Sequence, residues 1–136
     1  MRPKLKLYLD TSVISALFDE RNPERKSLTE SFFKEIENFE ILISNITIAE
    51  IEKTPDKQIK KYMEQKIEDF SVLSISNEIE ELTEEIIQKG AINESYPEDA
   101  YHVAIAIINE MDFLLSWNFR HIVRKKTKDI VRRYVH

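Results

Sequence analysis

Apolar positions along the chain fall into two alternating patterns. Short runs with little polar interruption, at residues 6–9, 40–44, 71–76 and 112–116, read as strands buried on both faces. Between them lie stretches with apolar residues at helical spacing. These predict helices over 12–19, from Asn22-Pro23 onward, and over 47–53, 55–70, 77–89 and 97–111, with a final helix in the tail. Phe32, Phe33, Ile36 and Phe39 stripe the second helix, and Ile59, Tyr62, Met63 and Ile67 face inward from the fourth. Thr54-Pro55 stops the third helix, while Asn77 caps and Gly90 ends the fifth. Residues 100–108 are apolar almost all round, so their helix should be the most buried. Strands alternating with helices imply an α/β protein, a mostly parallel sheet covered on both faces. No repeat, low-complexity tract or linker divides it, and one domain over 1–136 is expected.

Polar residues stand where these apolar runs stop. Asp10 follows Leu7-Tyr8-Leu9, Glu50 follows Ile48-Ala49, Asp99 precedes Ala100-Tyr101-His102-Val103-Ala104, and Asn118 follows Leu115-Ser116-Trp117. In open α/β sheets, ligands bind outside the carboxyl ends of the strands. Carboxylates gathered there repel one another, and a hard divalent cation relieves the repulsion. Asp10, Glu50 and Asp99 are therefore expected to converge closely enough to share Mg²⁺ or Mn²⁺. The substrate that suits such an ion is a phosphate ester.

Composition narrows the alternatives. The chain has no cysteine, which excludes disulfides, thiolate metal sites and cysteine nucleophiles. Its single glycine, Gly90, excludes a Walker loop, a dinucleotide-binding turn and a nucleophile elbow, each of which needs at least two. His102, His121 and His136 are too scattered for a zincin motif. No apolar run approaches the roughly 18 residues of a membrane span, and the opening residues pass directly into a strand pattern rather than a signal peptide. A cytoplasmic protein with no membrane partner is expected. Net charge is −5, but residues 120–136 carry +6, leaving −11 on the rest. Such a basic segment is a candidate phosphate-contacting face, with a solvated helix face as the alternative.

Each candidate also has a structural reading. Asp10 fits the N-cap of the following helix. Glu50 fits a water-facing position on a short helix. Ser95-Tyr96-Pro97-Glu98 fits a capping box, which gives Glu98 a structural task and leaves Asp99 only a helix-dipole interaction. His102 lies three residues after Asp99 on the same face, placed to hydrogen-bond a carboxylate, to contact a substrate phosphate, or to sit satisfied in the core. Trp117 suits either base stacking or the core.

Taken together, these motifs resemble the PIN-domain ribonucleases, most closely the toxin component of VapBC-type toxin–antitoxin pairs. Leu9-Asp10-Thr11-Ser12, Ile48-Ala49-Glu50-Ile51, Asp99-Ala100-Tyr101-His102-Val103-Ala104 and Leu115-Ser116-Trp117-Asn118 match that family's four motifs in order, across essentially the whole chain. The last motif departs from the pattern, with Asn118 where the family usually has Asp. The resemblance implies a PIN-like three-layer α/β/α sandwich around a short, mostly parallel sheet of four to five strands. It implies a Mg²⁺- or Mn²⁺-dependent endoribonuclease that forms homodimers and is inhibited by a small antitoxin. The catalytic set would be Asp10, Glu50, Asp99 and Asn118, with the three carboxylates holding metal. Thr11, Ser12, His102, Ser116, Trp117, Arg120 and Arg124 would meet the RNA. The rival reading is a PIN-fold protein that binds RNA or a protein partner without cutting. A small-molecule phosphatase is disfavoured, because Ser12 stands where its Asp-x-Asp motif needs a second aspartate.

Overall fold

A computed structural model describes residues 3–118. Its elements are β1 (Lys6–Leu9), α1 (Thr11–Ala16), α2 (Pro23–Phe33), β2 (Glu40–Ser44), α3 (Asn45–Glu52), α4 (Lys57–Ile67), β3 (Ser71–Leu73), α5 (Asn77–Gln88), α6 (Pro97–Ile108) and β4 (Phe113–Leu115). A short 3₁₀ turn, Ile36–Asn38, leads into β2. The four strands form an all-parallel sheet in the order β3-β2-β1-β4. The basic tail, with Arg120 and Arg124, lies outside the described residues.

Strand pleating sends alternate side chains to opposite faces. Leu7 and Leu9 of β1 and Ile41 and Ile43 of β2 therefore face one layer, packing with Val13, Ile14, Phe33, Ile51, Met63 and Ile67 from α1–α4. Tyr8 faces the other layer, with Ile79, Leu82 and Ile86 of α5 and Val103 and Ile105 of α6. The result is the expected α/β/α sandwich. As expected, α6 is the most buried helix among the described residues, with Asp99, Ala100, His102 and residues 103–106 buried and the remainder partly buried.

Several boundaries differ from the sequence expectation, each for a local reason. The cap of α5 is Ser76, whose hydroxyl accepts from the Ile79 amide at 3.2 Å; Asn77 is the first helical residue. Ser76 is thereby drawn out of β3, which ends at Leu73. Asp56 accepts the amides of Gln58 and Ile59 at 2.9 and 3.0 Å, so α4 begins at Lys57 rather than at Pro55. Phe39 lies beyond the end of α2 and stacks on Phe32 from the start of β2's approach. Gly90 ends the turn after α5 as expected, at φ 71°, with Ala91 N–H bonded to Ile86 O at 3.1 Å. Glu110 does the same after α6 without being glycine, at φ 52°, which stops that helix at Ile108 rather than Met111.

The strand order locates the site. From β1 the chain moves outward to β2 and β3, then crosses back to place β4 on the other side of β1. The crossovers flanking β1 run in opposite directions, which opens a crevice at the carboxyl ends of β1 and β4. Asp10 leaves β1 there, and Ser116, Trp117 and Asn118 leave β4 there.

Candidate functional site

Asp10 occupies the N-cap position of α1, but its side chain makes no capping hydrogen bond. Its carboxylate turns instead toward the chain leaving β4. Oδ1 accepts the Ser12 hydroxyl at 2.5 Å, and Oδ2 accepts the Ser116 hydroxyl. Ser12 Oγ in turn accepts the Trp117 amide at 2.8 Å, and Ser116 Oγ accepts the Asn118 amide at 2.9 Å. The two segments are further joined by Asp10 N–H to Leu115 O at 3.2 Å. Asp10 is 1% exposed. Burial pushes its carboxyl above the usual range, with the nearby Asp99 charge adding to the rise; His102 and the two serines only partly oppose it.

Asp99 lies in the first turn of α6, 6% exposed. The expected capping box before it does not form. The cap position falls on Tyr96 with no side-chain capping hydrogen bond, because Asn93 Oδ1 engages the Ser95 amide at 2.8 Å and Pro97 starts the helix. Asn118 Nδ2 approaches Asp99 Oδ1 at 3.4 Å, so the residue departing from the family pattern stands beside a family carboxylate.

Glu50 projects from α3, half-buried. Its Oε1 accepts both the Thr11 hydroxyl at 2.6 Å and His102 Nε2 at 2.7 Å. Burial raises its carboxyl, but the His102 hydrogen bond and electrostatic pull, with Thr11, outweigh that and hold it below the usual range. The other nitrogen of His102, Nδ1, lies 2.6 Å from the Tyr8 hydroxyl, which lies 2.7 Å from Ser44 Oγ. Tyr8, Ser44 and His102 are all buried. Burial holds the Tyr8 phenol well above its usual range, so it stays protonated.

Trp117 packs its ring with the α1–α4 layer, donates Nε1–H to Thr29 Oγ1 at 3.1 Å, and carries the Arg25 guanidinium over its ring at 4.8 Å. A cleft of about 240 Å³, lined by Val13, Leu28, Phe32 and Trp117, opens beside Ser116.

The sequence candidates among the described residues thus form two linked chains: Ser12–Asp10–Ser116–Asn118–Asp99, and Thr11–Glu50–His102. Tyr8 and Ser44, which complete the second, were not singled out from the sequence. A tyrosine inside a buried strand needs a hydroxyl partner, and that is the signal that points to it. Among the described residues no three His, Asp or Glu side chains form a ready metal-binding group. The donor set nonetheless suits a hard cation. Among the described residues, the hydrogen-bond partners of the buried Asp10 carboxylate are two neutral hydroxyls, which fill two of its roughly four acceptor positions. Mg²⁺ is commonly held by only one or two carboxylates, with water completing its shell.

Comparison with known proteins agrees with this architecture. Among solved structures, VapBC2 from Rickettsia felis, crystallised bound to a DNA fragment from their promoter, matches with a TM-score of 0.59 and 20% identity, covering 85% of this chain and 90% of that chain. At that identity the likeness is one of fold. No curated protein sequence matches the chain. The family model for the PIN domain matches residues 7–123, a span that contains Asp10, Glu50, Asp99 and Asn118. The chain belongs to the PIN domain family.

Proposed function

We propose that this protein is a Mg²⁺- or Mn²⁺-dependent endoribonuclease that hydrolyses RNA phosphodiester bonds, acting as the toxin of a type II toxin–antitoxin pair. PIN domains are generally nucleases. The observation that carries the reading is Asp10, a carboxylate buried at the sheet's switch point, raised by burial, with only hydroxyls donating to it. Among the described residues no cationic side chain is hydrogen-bonded to Asp10, and a buried charge of that kind is costly unless a cation compensates it.

Asp10, Glu50 and Asp99 would hold the ion. When bound, it supplies Lewis-acid activation of water and neutralises charge developing on the phosphoryl oxygens. Ser12 and Ser116 fix the Asp10 carboxylate plane from both sides. Glu50 is held ionised by His102 and Thr11, the form in which it would ligate the ion, and a carboxylate of the site accepts the proton of the attacking water. Water attacks phosphorus in line with the leaving oxygen, the P–O bond breaks, and no covalent intermediate with the chain forms. Trp117 and the adjacent cleft offer an aromatic and apolar surface to a base, and Arg120 and Arg124 would supply phosphate contacts that do not depend on sequence. The expected partners are the RNA substrate, a small antitoxin and a second copy of the chain. The expected setting is the cytoplasm, with residues 1–136 acting as one domain. No helix among the described residues is long and apolar enough to cross a membrane.

One observation favours the rival reading of a binding protein that does not cut: the Asn118 amide nitrogen already faces Asp99, where another family member would add a carboxylate. RNA cleavage by the purified protein separates the two. The nuclease reading expects cleavage with Mg²⁺ or Mn²⁺, none in EDTA, and none from Asp10→Asn or Asp99→Asn. Cleavage that survives EDTA or both substitutions excludes it, and intact RNA under every condition favours the rival.

A further inference from the structure

Glu50 is held from both ends of the helix that carries it. At the start of α3, Ser44 Oγ accepts the Ile46 amide at 3.2 Å and Thr47 Oγ1 accepts the Ser44 amide, a reciprocal cap. The same Ser44 hydroxyl meets Tyr8 of β1, Tyr8 meets His102 of α6, and His102 meets Glu50 near the end of α3. The polar ring therefore closes through one helix, one strand and a second helix, and its three buried members are at most 1% exposed.

Counting hydrogens gives the ring a direction. An ionised Glu50 only accepts, so His102 Nε2 carries the proton between them. If Nδ1 accepts from Tyr8, then Tyr8 oxygen accepts from Ser44, and Ser44 oxygen accepts from the Ile46 amide. Every hydrogen then has an acceptor. Glu50 is left asymmetric by this arrangement: Oε1 takes two donors, while Oε2 has no partner among the described residues.

We propose that His102, backed by Tyr8, is a positioning residue that occupies one oxygen of Glu50 and so presents the other to the cation site. This rests on the reading of Glu50 as a cation ligand. His102 itself does not meet substrate, because it is buried and both ring nitrogens are already engaged. Groups that orient metal-binding side chains commonly change metal affinity by about tenfold to a hundredfold when removed.

The test compares wild type with His102→Leu, His102→Gln and Tyr8→Phe. Leu fills the buried space without a donor. Gln restores an N–H near the position of imidazole Nε2. Three readouts are needed: the unfolding midpoint without metal, Mn²⁺ affinity by calorimetry without RNA, and RNA cleavage. His102→Leu should fold with a lowered metal-free midpoint, because Tyr8 and Glu50 each lose a partner. It should lose about tenfold or more in Mn²⁺ affinity while His102→Gln, which also perturbs the core, does not, with cleavage lost in step with affinity. His102→Gln should recover most of that affinity, and Tyr8→Phe should lose a smaller, severalfold amount. Wild-type affinity in His102→Leu, or no recovery in His102→Gln, overturns the proposal. Should His102→Leu not fold, unchanged affinity in Tyr8→Phe overturns it alone. A wild type that cleaves RNA while the variants keep its Mn²⁺ affinity overturns the positioning role and leaves the nuclease reading intact; a wild type that binds no Mn²⁺ overturns both.

Discussion

Asp10 Oδ2 accepts the hydroxyl of Ser116, a residue 106 positions away in sequence, and that contact joins the carboxyl ends of β1 and β4. It defines the crevice at which Asp10, Ser12, Ser116 and Asn118 meet. Among the described residues, the side chains hydrogen-bonded to this buried carboxylate are neutral hydroxyls, with His102 acting only at longer range, and this has consequences for the stability of the metal-free protein.

The Asp10 carboxyl is raised in the folded state, so its linkage runs opposite to that of a salt-bridged aspartate. A raised folded value gives stability that is fully present below the ordinary value of 3.8 and lost as pH rises through the folded value. At neutral pH the ionised group therefore costs stability. Asp10→Asn should be more stable than wild type in EDTA, by on the order of 1 kcal/mol at neutral pH, with the gain shrinking as pH falls through the raised folded value and gone below the ordinary value of 3.8. Urea unfolding at neutral and acid pH measures this. A less stable Asp10→Asn would mean that the charge is compensated within the protein.

Ser44→Ala removes a helix cap and a buried partner of Tyr8 in one step. Loss of an N-cap costs about 1 kcal/mol, and loss of one buried hydrogen bond, with Tyr8 still bonded to His102, about 0.5–1.5 kcal/mol more. Ser44→Ala should thus lower stability by about 1.5–2.5 kcal/mol and weaken Mn²⁺ binding only modestly, because His102 still reaches Glu50. A loss below about 0.5 kcal/mol, the usual range for surface substitutions, would show that the ring is not a stabilising unit.

Asn118 sits 3.4 Å from Asp99, so a carboxylate in its place would meet another of like charge. Without metal, Asn118→Asp should lower stability. With metal, the added charge should tighten Mn²⁺ binding, since attraction is stronger in a partly desolvated crevice. Asn118→Ala should weaken cleavage less than Asp99→Asn does. Mn²⁺ titration of Asn118→Asp checks the central point; affinity no better than wild type would mean that position 118 does not face the ion.

Much of this was legible from the chain. The uninterrupted run Leu7-Tyr8-Leu9 before Asp10 marked a strand buried on both faces, and the nearly all-apolar α6 marked the innermost helix. The order of the elements implied the parallel sheet. Caps were less legible, because several residues compete for each helix end. Ser76 caps α5 instead of Asn77, and Asn93 captures the Ser95 amide that a capping box would have used. The role of His102 could not be read from spacing. Three residues after Asp99 suggested a partner on its own helix, yet its nitrogens reach Glu50 on α3 and Tyr8 on β1. Only the packing of α6 over the sheet brings those together.

The central claim is that the buried Asp10 anchors a divalent-cation site. Calorimetric titration of Mn²⁺ into wild type and Asp10→Asn, both without RNA, tests it most directly. The account predicts a saturable isotherm for wild type and at least a tenfold loss of affinity for Asp10→Asn, in a protein whose fold is intact and whose metal-free stability is raised. Equal isotherms for the two proteins, or no binding by wild type, would contradict it.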